Sequence, residues 1–326
     1  MTDPLSGARR VGVMLPRDLP VADVLPFARR AEELGFDELW VVEDLGFRGG
    51  IAQAAAVLAV TERITVGIGI LPAAVRTVTF AAMEVSTLEQ LHPGRLVVGI
   101  GHGMPDWMRS VGAWPERPLA FLKEYAIALA ALLRGEVPPA GRHVDAGGVR
   151  LTERPDRVPP ILLGVRGPRS VAAAGTVADG VVLAEPATPA YVAHARRLMR
   201  DAAPDAAPRI VTYDLAAVAD DAAAARDVVR SALGVLRLPD WRPHLVDLPF
   251  EADLLALAER ASDDADFVAR LPDAWVDELT LAGTADAVRG RIAARHDAGA
   301  AAVVLVPLGP DRLAALTRLG EVLGAR

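Results

Sequence analysis

Two short apolar runs, residues 64–71 and 96–100, enclose a helical spacing at 77–91, and this strand, helix, strand order constrains the fold most strongly. A unit of about forty residues is the size of a βαβ crossover, which joins neighbouring parallel strands. Both runs are rich in Val and Ile with little polar alternation, the pattern of strands covered on both faces. Each closes on glycine: Gly67 and Gly69 in the first, Gly99, Gly101 and Gly103 in the second. Without a Cβ, glycine lets another group come up against the main chain. Two such ends side by side predict the floor of a ligand site at the carboxyl edge of a parallel sheet.

The alternation runs through the rest of the chain. Strands are expected at residues 10–16, 37–43, 161–165, 179–184, 210–219 and 301–307. Helical periodicity fills 21–34, 50–60, 114–133, 167–177, 188–201, 284–298 and 311–323. Gly35 and Gly299 stand where two of these helices should stop. Eight strand–helix cycles read as an α/β fold of the (β/α)8 TIM-barrel type. The rival is a doubly wound open sheet. Its glycine fingerprint is missing, because the first strand-to-helix turn reads Leu15-Pro16-Arg17-Asp18. No linker composition divides the chain, so residues 1–326 are expected to form one domain with insertions at about 135–158 and 222–280. The Gly- and Pro-rich stretch 135–151 suits a hairpin, and the second insertion is helical and longer than one crossover needs.

Composition narrows the function. A formal net charge of −7 argues against a nucleic-acid partner. Cysteine is absent, so there is no disulfide, thiolate metal site or cysteine nucleophile. No HExxH, metal-spaced carboxylate cluster or GxSxG occurs, so no metal is expected and metal or serine hydrolysis drops out. No apolar leader opens the chain and no apolar run has the length of a membrane span. The expected setting is the cytoplasm, with no membrane partner.

A barrel collects its chemistry at the carboxyl ends of its strands. Glu43 and Asp44 close the second strand there, and alternation sends them opposite ways, so at most one faces the mouth. That one can give a proton or accept a hydrogen bond; a charge in a helix-capping loop would look the same. His102 sits between Gly101 and Gly103. It suits a general acid near neutral pH, or simply a polar residue in a tight turn. Gly164-Val165-Arg166-Gly167-Pro168-Arg169-Ser170 leads into a helix with proline in its first turn. Open N–H groups there, with Arg166, Arg169 and Ser170, suit a phosphate, although an ordinary helix start has the same look. Glu185 and Pro307 also fall at strand ends, without a defined role. Trp107 and Trp114, with Met104 and Met108, offer either an apolar wall over a flat ring or packing for the next helix. His92, His143, His194, His244 and His296 are expected to be structural.

Together these segments resemble the luciferase-like monooxygenase superfamily. Within it they are similar to the deazaflavin-dependent reductases of the methylenetetrahydromethanopterin reductase type. The resemblance runs from about residue 11 to 307. It is carried by GFDELWVVED (35–44), by the stretch from 61 to 103 that ends in RLVVGIGHG, by GVRGPRSVAAAGTVADGVVL (164–183) and by AGTADAVRGRIAARHDAGAAAVVLVP (282–307). Their order and spacing carry it more than any single motif. The resemblance implies a (β/α)8 barrel with an insertion region and a flat isoalloxazine-type ring at the mouth. It implies coenzyme F420 as the cofactor, with FMN as the alternative. It places a bulge with a non-prolyl cis peptide behind the ring at Gly69–Ile70. It matches Gly101-His102-Gly103 to a loop beside the ring, and Gly167, Pro168, Ser170 and Val171 to a phosphate-binding helix start. It also implies a small-molecule substrate and a homodimer.

The chain departs from related sugar-phosphate dehydrogenases. These end the second strand with Asp-His, whose histidine is their acid, and carry Glu after the fourth-strand glycines. Glu43–Asp44 and Met104 stand here instead. A sugar phosphate is therefore not the expected substrate, and His102 or a carboxyl of the acidic pair takes the acid's place. The expected activity is hydride transfer between F420 and a C=O, C=N or C=C bond. FMN-dependent oxygen insertion and a non-catalytic flavin-binding barrel are its rivals.

Overall fold

A computed structural model describes residues 9–324. Its strands are β1 (Arg10–Met14), β2 (Glu38–Val41), β3 (Thr65–Pro72), β4 (Leu96–Gly101), β5 (Ile161–Gly164), β6 (Gly180–Leu183), β7 (Arg209–Val218), β8 (Leu281–Gly283) and β9 (Ala302–Pro307). β1 to β7 pair in chain order, all parallel. β9 pairs with β7 on one side and with β1 on the other, which closes the ring. The eight expected strands thus form the closed barrel. β8 is an addition that the sequence did not suggest. It has three residues and pairs with 216–218 at the far end of β7.

Outer helices follow the strands as the periodicity predicts. The first, Val21–Leu34, ends at Gly35, whose φ of 90° places its N–H against the carbonyls of Ala31 and Glu32. Two expectations need correction. The helix expected over 114–133 begins at Pro118, and Pro105–Ser110 forms a short helix of its own. None of residues 135–160, all described, forms a strand, so the hairpin is absent. Side chains of the neighbouring helices satisfy this backbone instead. The Glu124 carboxylate accepts the N–H groups of His143 and Val144 at 2.6 and 3.0 Å. The hydroxyls of Thr79 and Ser86 donate to the carbonyls of Ala146 and Glu153.

Apolar side chains fall into two clusters. One fills the space between strands and outer helices and includes Val13, Leu39, Val66, Phe27, Val57 and Leu129. The other lines the inside of the barrel through Trp40, Val97, Leu162, Tyr213 and Val304, and runs on without a break into the second insertion through Leu233, Trp241, Leu254 and Phe267. Each large side chain buried this way contributes about 1.5–3 kcal/mol. The insertion is therefore a cap rooted in the barrel's own interior. At the foot of the barrel the fully buried Glu38 takes Arg209, the Trp40 indole N–H at 2.8 Å and Arg10 at 3.6 Å. A buried carboxylate needs such partners to remain charged. Among the described residues, no helix is long and apolar enough to cross a membrane, and no cluster of metal-ligating side chains occurs.

Candidate active site

The end of β3 departs from regular pairing. Its register with β4 skips between Ile68 and Leu71, and the Gly69–Ile70 peptide inside that skip is cis. Only Gly69 and Ile70 are partly exposed in a strand whose other residues are buried. The cis bulge thus lies where the sequence resemblance placed it, with its main chain open towards the mouth.

The glycines around it have a different use from the one expected. They seat the protein's own side chains. A Cβ at Gly67 would fall within the Trp40 indole, and one at Gly69 would fall on the Tyr213 hydroxyl. Ile70 lies over Gly164; at Gly99 and Gly101 a Cβ would first meet the carbonyl oxygens of Ile68 and Gly164, at 2.5 and 2.7 Å, and then Ile70. Trp40 and Tyr213 pack edge to face with centroids 5.8 Å apart, and the Tyr213 hydroxyl donates to the Gly69 carbonyl at 3.3 Å. Burial, then the nearby carboxylates, push the Tyr213 phenol well above its usual range, so it stays a donor. Glycine makes room here for an aromatic pair that supports the bulge from within.

The acidic pair divides as alternation requires. Glu43 accepts Arg76 through both oxygens, at 2.8 and 3.1 Å, and the Gly50 N–H at 2.7 Å. This places it at the start of the Gly50–Val60 helix, the capping role rather than a catalytic one. Asp44 turns towards the mouth, where its charge acts on Glu185 and Tyr213. It is also paired, with Arg17 at 2.6 Å. His102 is half-buried, its ring 6.4 Å from that of Trp114. Burial lowers its pKa, so near neutral pH the ring is uncharged and its use as an acid is weakened. Ala73, Ala74, Gly101, His102, Pro115 and Phe121 border a small crevice beside it.

The helix start after β5 also differs from the expected phosphate site. Ser170 and Val171 both donate their N–H groups to the Gly167 carbonyl, at 3.0 and 2.9 Å. The Ser170 amide is therefore not open, as had been expected, whereas that of Arg169 finds no backbone partner among the described residues. Arg169 is exposed beside Pro168. Arg166 points elsewhere. Its guanidinium lies 4.0 Å above the Trp241 ring, with Met104 Sδ at 3.8 Å. It borders the mouth and does not reinforce the helix start.

Trp241 and its neighbours are residues that sequence reasoning missed. The indole N–H donates to the Glu185 carbonyl at 3.0 Å, and His244 Nδ1 lies 3.1 Å from the Pro186 carbonyl. The Glu185–Pro186 peptide is cis. His244 is fully buried between Tyr191 and Trp241. Burial, then the Arg166 charge, lowers its pKa to about 3. Glu185 is half-buried at the end of β6, and burial, with Asp214 and Asp44 adding to it, raises its carboxyl pKa. A strand ending in Glu-Pro was the visible signal. The insertion that grips it carries no readable motif.

A closed parallel barrel with its polar side chains gathered at the carboxyl ends of the strands defines an enzyme-type (β/α)8 site. The chain belongs to the luciferase-like monooxygenase family, which matches residues 7–302. The 5,10-methylenetetrahydromethanopterin reductase of Methanolobus tindarius is 27% identical over 327 residues, covering 95% of this chain and 98% of that protein. The F420-dependent glucose-6-phosphate dehydrogenase of Microbacterium testaceum is 32% identical over 173 residues, 49% of this chain and 52% of its own. Among solved structures, the coenzyme F420 dependent tetrahydromethanopterin reductase from Methanopyrus kandleri superposes with a TM-score of 0.82 at 20% identity, over 97% of this chain and 99% of that one.

Proposed function

We propose that the chain is an oxidoreductase that binds coenzyme F420 at the barrel mouth and acts with it on a small organic substrate. The observation that carries this reading is the bulge at Gly69 and Ile70, open in an otherwise buried strand. It offers a flat ring a rigid surface backed by Tyr213 and Trp40. The likeness to proteins named as F420-dependent supports a deazaflavin over FMN.

The residues present fit such a group. Gly69, Ile70, Gly101, His102 and Gly103 would border the ring. At the helix start after β5, the open amide and exposed charge of Arg169, with the Ser170 hydroxyl beside them, would hold the phosphate, while Gly167, Pro168 and Val171 shape the turn. When bound in its reduced form, a deazaflavin supplies a hydride. The chain's part is to hold ring and substrate in reacting geometry and to manage the accompanying proton. His102, uncharged, contributes a hydrogen bond. Asp44 stands ready as an acceptor.

Titration of the purified protein with oxidised F420 and with FMN, followed by absorbance, tests the reading. Saturable binding of F420 is expected, followed by anaerobic oxidation of reduced F420 by ketones, imines or enones. Binding of FMN alone with strict oxygen dependence would replace the reading with a monooxygenase. Binding of neither would leave a non-catalytic barrel. A homodimer belongs to the same proposal. Phe80, Met83 and Leu91 stand exposed along one side of the Val78–Leu91 helix, with exposed Ile127 on the helix packed beside it. Light scattering should give twice the chain mass, and Phe80→Glu should return the single-chain mass.

A further inference from the structure

Three acids gather near the mouth, and two of them are paired. Glu43 holds Arg76 and Asp44 holds Arg17. Glu185 has no salt-bridge partner for its carboxyl among the described residues. Arg166, whose charge acts on Glu185, is turned onto Trp241 and Met104 instead. The Glu185 backbone is fixed from the cap side, because Trp241 and His244 hold the two successive carbonyls of Glu185 and Pro186. Glu185 is thus an acid at a strand end inside the barrel mouth, half-buried as a residue and fixed through its backbone.

We propose that Glu185 is the proton donor of the reduction, acting on a neutral carbonyl or imine. This rests on the F420 reading above. The Glu185 O–H bond breaks and its proton goes to the substrate heteroatom. The carbon of the same double bond accepts the hydride, so that bond is reduced and the deazaflavin oxidised. Glu185 is left as a carboxylate and is reprotonated from solvent.

The charged and titratable groups acting on Glu185 are Arg166 from the end of β5, Asp44 after β2, and Tyr213 and Asp214 from β7; from the cap, Asp240 and His244 lie beside Arg166. Burial, helped by Asp214 and Asp44, favours the protonated form; Arg166 and the residue's own amide oppose it. Tyr213 remains protonated and His244 neutral through the working range, so neither supplies the titration. Burial also lowers the His102 pKa, which weakens that ring as a competing donor.

The test compares the wild-type protein with Glu185→Gln and Glu185→Asp. The first readout is infrared difference spectroscopy of the cofactor-free protein at neutral pH. A carboxylic-acid C=O band present in the wild type and missing in Glu185→Gln is expected. The second is F420 binding, expected to stay within about twofold, well inside the tenfold that 1.4 kcal/mol represents. The third is anaerobic oxidation of reduced F420 by a set of uncharged ketones and imines. A fall in kcat of about 10²- to 10⁴-fold is expected for Glu185→Gln, with partial recovery in Glu185→Asp. The wild-type kcat should fall as pH rises through the Glu185 titration, and the Gln variant should lose that limb. Absence of the acid band, or turnover of Glu185→Gln near the wild-type rate, overturns the inference while F420 binding leaves the wider reading intact. A wild type that neither binds F420 nor turns over any probe removes that wider reading, and the inference with it.

Discussion

The two walls of the mouth are built on different physical terms. The wall made by β2, β3 and β4 is main chain: a cis bulge at Gly69–Ile70, with glycines that seat Trp40, Tyr213 and Ile70. The wall made by the ends of β5 and β6 is side chains held by the cap: Arg166 on Trp241, Glu185 and Pro186 gripped by Trp241 and His244. Backbone flanked by paired strand and backed by the packed Trp40–Tyr213 rings leaves little to adjust. Side chains fixed by an insertion can be altered one at a time. The first wall suits a shared cofactor, the second the particular substrate.

Trp241→Ala attacks the second wall at its centre. It should destabilise the protein by about 3–5 kcal/mol, as for other large aromatics truncated in a core, read by urea unfolding. With its support gone, Arg166 becomes free to pair with Glu185, so kcat should fall while F420 affinity at the first wall changes little. A loss of F420 binding equal to the loss of turnover would mean that the walls are not separable.

The same wall carries a pH signature through His244. Unfolded, this ring takes a proton near pH 6.5; folded, only near the value of about 3 to which burial lowers it. Above 6.5 both states are neutral and its contribution is fully present. As pH falls from there towards about 3, the unfolded state gains a proton that the folded state refuses, and stability declines. Near pH 4.5 the loss from this ring is about 2–3 kcal/mol. Thermal unfolding across that range should show a shallower acid decline in His244→Phe than in the wild type.

The first wall should respond to volume. Gly69→Ala puts a methyl on the Tyr213 hydroxyl. It should cost about 1–3 kcal/mol, the range for overpacking. The Trp40–Tyr213 pair must then shift, so F420 affinity falls together with stability. Calorimetry alongside the F420 titration checks whether the two move together. Arg169→Ala is the mildest change. An exposed ion pair is worth about 0.2–1 kcal/mol, so F420 affinity should drop only a few-fold, and the difference should shrink as salt is raised.

The barrel and the first wall were legible in the sequence because their signals are local. Apolar runs of strand length, helical spacing between them and glycine at 67, 69, 99 and 101 lie within one crossover. What the glycines were for was not legible. Whether a missing Cβ admits a ligand or a neighbour's ring depends on Trp40 and Tyr213, which come from other strands. The second wall was hidden for a stronger form of the same reason. Trp241 meets Glu185 across 56 residues of chain, and no periodicity links them. Three-residue β8 was too short to show a pattern, and the hairpin expected in the first insertion gave way to contacts from Glu124, Thr79 and Ser86.

One detail of the strand order bears on how such a protein can change. β9 joins β7 over 211–216 and β1 over 10–13, so the hoop is complete without β8. Everything from residue 222 to 283 leaves the hoop and returns to it at β7's outer end. Substitutions in that excursion, Trp241 and His244 included, can therefore leave strand closure and the Gly69–Ile70 bulge in place, provided its apolar side chains still fill the barrel interior. New chemistry on this scaffold needs a new lid, not a new barrel.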